Sequence, residues 1–102
     1  MTGVVRVTRA AEADIKHAAA WYGEHSPAAA LGFLAAVKET VERISQNPMQ
    51  YQAIIDQSRR ANLSRYPYGL WYVPEGKDGA LVFACLHHKR DPKTPQARKL
   101  GL

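Results

Sequence analysis

The chain of 102 residues has a single cysteine, Cys85, so no internal disulfide can form. It sits inside the apolar run 80–86, which reads as a small buried hydrophobe in a reducing compartment. Long hydrophobic runs are missing too. Nothing approaches the roughly 18–20 apolar residues that cross a bilayer, so no membrane association is expected. Arg6 and Arg9 are followed by no apolar signal segment, and a cytoplasmic location is the expectation. The seven glycines are scattered and build no phosphate-cradling loop. No serine nucleophile motif is present. Metal ligands are equally sparse. His87 and His88 are neighbours on a predicted strand and point to opposite faces, while His17 and His25 lie eight positions apart. Neither a metal nor another cofactor is expected.

What the chain does contain is ordinary for a folded protein. Hydrophobic residues make up 46% and charged residues 23%, which argues against disordered and fibrous classes. The length suits one domain over residues 1–102. Fourteen Lys and Arg against nine Asp and Glu give a net charge of +5. That surplus is lopsided: residues 1–50 carry five of each sign, whereas residues 51–102 carry nine basic and four acidic. An acidic or polyanionic partner is therefore expected to meet the second half, unless the basic face serves only solubility.

Hydrophobic spacing predicts the elements. Residues 3–7 alternate weakly and read as a short strand. Thr8 can cap a helix whose first turns hold Glu12 and Asp14, where the macrodipole favours negative charge. Ala11, Ile15, Ala18 and Tyr22 give it one apolar stripe, and it ends around 23–25. After a link of a few residues, Ser26-Pro27 starts a second helix that runs to about Gln46, with Leu34, Val37, Val41 and Ile44 as its stripe. Residues 49–57 read as a polar loop anchored by Ile54 and Ile55. Strands are predicted over 59–64, 68–73 and 80–88, with a turn at 74–79. The last strand is nearly all apolar and should be central, covered on both faces. The predicted class is α+β: an N-terminal strand, then an antiparallel helical hairpin packed on a small, mainly antiparallel sheet, in the order β-α-α-β-β-β.

The chemistry concentrates in the second half. Arg59, Arg60, Arg65, Tyr66, Tyr68, Trp71 and Tyr72 lie within fourteen positions, followed by His87, His88, Lys89 and Arg90. Cleavage of RNA through its own 2′-hydroxyl needs a base, a cation for the phosphate and an acid, and these residue types can supply all three without a metal. The same arginines and aromatics suit a protein interface. Packing and surface salt bridges are the plainer roles for them, and composition alone leaves these readings open.

Trp21-Tyr22, Ser26-Pro27, Ala30 and Phe33-Leu34 resemble the N-terminal half of RelE/ParE-type toxins of bacterial toxin–antitoxin pairs. Arg60, Leu63 and the block from Arg65 through Tyr66-Pro67-Tyr68 to Trp71-Tyr72 resemble the family's central hairpin. His87-His88-Lys89-Arg90-Asp91-Pro92 with Arg98 resembles its closing motif. The resemblance spans roughly residues 4–98 and carries the predicted fold with it.

Within this family, RelE-like members cut mRNA on the ribosome with basic residues on the second and third strands and near the C-terminus. Arg60 and Arg90 match that set. Asn62, Gly69 and Gln96 stand where a lysine, an arginine and a late tyrosine would be, and Pro95 replaces a frequent aromatic. ParE-like members lack the same set and are associated with poisoning DNA gyrase. The resemblance therefore implies a ParE-like toxin that inhibits gyrase by binding and is neutralised by an acidic antitoxin that folds as it binds. Its expected contact residues are Arg59, Arg60, Arg65, Tyr68, Trp71, His88, Arg90 and Arg98. The alternative it implies is a metal-free mRNA endonuclease, with the ribosome and mRNA as partners and Arg60, His87, His88 and Arg90 as its catalytic set.

Overall fold

The structure is a computed structural model that describes residues 3–89. Arg90, Arg98 and the other C-terminal positions named above lie outside the described residues. Seven elements follow one another: β1 (Val5–Val7), α1 (Arg9–His25), α2 (Pro27–Gln46), β2 (Ala53–Ile55), β3 (Ser58–Asn62), β4 (Tyr68–Glu75) and β5 (Gly79–His87).

Thr8 starts α1 as expected, its hydroxyl accepting from the Ala11 N–H at 3.1 Å. The link between the helices is shorter than expected, because Ser26 alone forms it. Its extended backbone ends α1, with its N–H on the Tyr22 carbonyl at 3.1 Å, while its hydroxyl accepts from Ala29 N–H at the start of α2. One residue caps two helices, so the hairpin folds back tightly. The buried stripe of α2 is Phe33, Ala36, Val37, Thr40 and Ile44. Leu34 was expected in that stripe but is 42% exposed, since the true stripe is rotated by about one position. Thr40 is buried without strain because its hydroxyl donates to the Ala36 carbonyl at 2.7 Å. Arg43 then donates to Thr40 Oγ1 and to the Asn62 carbonyl, tying α2 to the end of β3.

The sheet has five strands in the order β1-β5-β4-β3-β2; β1 runs parallel to β5 and every other pair is antiparallel. Here the sequence reading needs correction. The predicted 49–57 loop contains β2, which pairs with β3 across a two-residue turn at Asp56-Gln57. Asp56 takes φ 52°, a left-handed conformation that its short polar side chain tolerates. β4 also runs on through Pro74 and Glu75, where it pairs with β5 beyond the last residue matched to β3. Proline is tolerated where one side of a strand is uncovered.

Alternation along β4 sorts the core into two layers. Leu70 and Tyr72 face the helices with Phe33, Val37 and Ile44. Trp71 faces the other way and packs with Phe83, Ala84 and Leu86. β5 is the inner strand expected, but the register slips by one residue between Val82 and Ala84. This β-bulge puts Phe83 and Ala84 on the same side and returns Cys85 to the helix side.

Candidate functional site

The face of the sheet away from the helices carries the first cluster. Arg60 on β3 pairs with Trp71 on β4, and its guanidinium carbon lies 5.7 Å from the Trp71 ring centroid. The long stem of Arg60 crosses Gly69: a Cβ there would come within 2.7 Å of Arg60 Cγ and 2.8 Å of Cδ. Gly69, which stands where the RelE-like set has an arginine, is thus the gap that lets Arg60 lie flat. Trp71 is only 5% exposed. It acts as the platform under Arg60 and contributes little surface itself. Arg60 Nε is buried and has no hydrogen-bond partner among the described residues.

Arg59, one residue earlier, points to the other side. It pairs with Tyr72, and its guanidinium donates to the Tyr51 carbonyl, holding the segment ahead of β2. Tyr72 is fully buried and donates to the Pro48 carbonyl at 2.6 Å. Burial pushes its phenol up to about 12, against a smaller lowering by Arg59. Alternation therefore parts the two arginines that the sequence reading grouped together. Arg65 is exposed in the turn between β3 and β4 with φ 70°.

A groove of about 650 Å³ forms the second cluster, between one flank of α1 and the end of β5. Asp14, His17 and Trp21 line it from the helix, with Tyr68 and His87 from the sheet. Tyr68 is held between Phe33 and His87, at ring distances of 5.3 and 5.2 Å. Asp14 accepts the Cys85 backbone N–H at 3.0 Å. The Cys85 thiol beneath is pushed up to about 12, first by burial and then by the Asp14 charge, so it stays protonated and unreactive. Tyr22 is raised mainly by burial and next by Tyr68 and Tyr66. His88 lies just outside, exposed in a turn, with its N–H on the Pro67 carbonyl at 2.9 Å.

Of the residues expected at a site, Arg60 and Trp71 meet on the open face, and Tyr68 shares the groove with His87. Arg59, Arg65 and His88 join neither cluster. Sequence reasoning missed Asp14, His17 and Trp21. Their signal is a second stripe at i, i+3 and i+7 beside the apolar one, legible once α1 is placed. Among the described residues no His/Cys/Asp/Glu group has the makings of a metal site. No described helix is long and apolar enough to cross a membrane.

No curated protein matches the chain by sequence. A solved structure from the chromosomal ParDE toxin–antitoxin system of P. aeruginosa superposes with a TM-score of 0.73 at 20% identity, covering 84% of this chain and 96% of that one. That likeness is one of fold. The family model for the ParE toxin of the type II toxin–antitoxin system parDE matches residues 5–92, from the first strand to the residues just after the last. Matched over most of its length, the chain belongs to the ParE toxin family of type II toxin–antitoxin systems.

Proposed function

We propose that the chain arrests growth by binding DNA gyrase in the cytoplasm, and that a cognate antitoxin neutralises it by binding the toxin itself. One observation carries the choice of binding over RNA cleavage. Arg60 lies on the open face of the sheet, while His87 faces the groove on the helix side. Acid–base cleavage needs a proton-transfer group and a phosphate-binding cation within hydrogen-bond reach of one substrate. These two are on opposite faces of one sheet, His88 is exposed in the turn after β5 and joins neither cluster, and among the described residues Asn62 and Gly69 add no second cation beside Arg60. The arginine laid on a buried tryptophan is the kind of anchor that protein interfaces use.

The test pairs a purified gyrase supercoiling reaction with primer extension on ribosome-bound mRNA. Inhibited supercoiling, accumulated gyrase–DNA cleavage complexes and intact mRNA are expected. Codon-specific cuts with unimpaired supercoiling would overturn the gyrase reading. Arg60→Ala should weaken gyrase inhibition about tenfold or more, the size of one interface anchor.

A further inference from the structure

Glycine weakens the middle of a sheet, because it loses the most backbone freedom on folding and offers no side chain to pack. Gly69 stands there nevertheless. It is buried on β4, with Asn62 of β3 on one side and Leu86 of β5 on the other. Its backbone does not call for glycine, since among the described glycines only Gly76 takes a positive φ. The requirement is one of space. At Gly3 and Gly79 an added Cβ would meet backbone carbonyls, and at Gly32 the Tyr66 hydroxyl. At Gly69 it would meet the stem of Arg60 and, at 3.1 Å, Asn62 Oδ1. Among the described glycines, this is the one whose space is taken by a cation.

The way Arg60 is held makes that space matter. Arg43, Arg59 and Arg60 each have a buried Nε with no hydrogen bond. Two of them are anchored elsewhere on the guanidinium, Arg43 on Thr40 Oγ1 and the Asn62 carbonyl, Arg59 on the Tyr51 carbonyl. Arg6 is paired with Glu75. Arg60 makes no hydrogen bond or ion pair among the described residues. Two contacts keep its pose: the gap at Gly69 under the stem and the Trp71 ring under the guanidinium. The atoms in the gap, Cγ and Cδ, belong to a flexible chain, so a Cβ at position 69 would push Arg60 aside and leave the strand in place.

We infer that Gly69 is a positioning residue for target binding: it lays Arg60 flat over Trp71, and this is the pose that meets gyrase. The inference deepens the gyrase reading and rests on it. A guanidinium laid on a buried ring lies level with the sheet around it, so a partner can close over both. Lifted off the ring, Arg60 would regain rotamer freedom that binding must remove again. Preorganisation is what the glycine contributes, against its own weakening of the strand.

The experiment places three readouts on Gly69→Ala and Arg60→Ala, alone and combined, in the full chain. In a Trp21→Phe background, acrylamide quenching of Trp71 should rise in Gly69→Ala towards its value in Arg60→Ala. Inhibition of gyrase supercoiling should weaken about fivefold in Gly69→Ala, but less than about twofold further when that change is added to Arg60→Ala. Gly69→Ala alone should leave Tm unchanged or lower it. Added to Arg60→Ala it should raise Tm by about 3 °C, because alanine then replaces a strand glycine with no arginine stem to displace. That change of sign separates a gap needed by Arg60 from one needed by the strand. Equal Tm shifts in both backgrounds, unchanged Trp71 quenching in Gly69→Ala, or the full loss of inhibition recurring without Arg60 would each overturn the inference. A wild-type chain that leaves supercoiling untouched would sink the gyrase reading instead, and quenching and Tm report on the Arg60 pose without gyrase.

Discussion

Phe33 offers the sharpest check on how the helical hairpin is fastened to the sheet. It is fully buried, with Tyr22, Tyr66 and Tyr68 at ring distances of 5.3, 5.4 and 5.3 Å. Those three rings come from α1, the β3–β4 turn and the start of β4, so one side chain joins three parts of the fold. Phe33→Leu keeps most of the apolar volume and removes the ring. Each lost aromatic pair forfeits ~0.5–1.5 kcal/mol beyond area burial, and three pairs with imperfect repacking give about 2–3 kcal/mol. A domain of this length loses about 5 °C of Tm per kcal/mol, so a drop of roughly 10–15 °C is expected. The variant should still fold, because total stabilities are typically ~5–15 kcal/mol. Thermal unfolding followed by far-UV circular dichroism at neutral pH reads the effect directly. A fall of less than about 3 °C would mean that apolar volume, and not ring geometry, fastens the hairpin, and the argument would fail.

Three further outcomes follow from the two clusters and the core. Tyr72 and Cys85 both have folded pKa values raised to about 12, above their ordinary values of 10.0 and 9.0. The unfolded chain loses these protons first, so stability present below pH 9 is lost as pH rises towards 12; urea titrations across that range should show the decline, and Tyr72→Phe should flatten it between 10 and 12. Cys85 should resist thiol reagents in the native state and label fully in denaturant, and rapid native labelling would contradict its burial. Arg60→Ala, made in a Trp21→Phe background, should uncover Trp71 and raise its acrylamide quenching, whereas unchanged quenching would remove Arg60 from the Trp71 platform.

Local chemistry was enough to read both helices. Thr8, Ser26-Pro27 and Asn47-Pro48 are caps and breakers that act within one turn, and the helical stripes repeat inside a single element. The same holds for the family resemblance, whose motifs are short and lie in order along the chain. β2 escaped notice because three residues are too few to show alternation, and only pairing with β3 makes them a strand. The bulge in β5 was equally hidden. In the nearly all-apolar run 80–86, either register buries hydrophobic atoms, so the side chains carry no signal of which one faces the helices. Packing against α1 decided it, by sending Cys85 inward and giving its N–H to Asp14. The separation of Arg59 from Arg60 was also a tertiary outcome. Adjacent residues of an unbulged strand part, but which of the two met Trp71 depended on the β3–β4 register. The groove belongs wholly to the tertiary structure, since Asp14 and His87 lie 73 positions apart and meet only because β1 stops short of the end of β5.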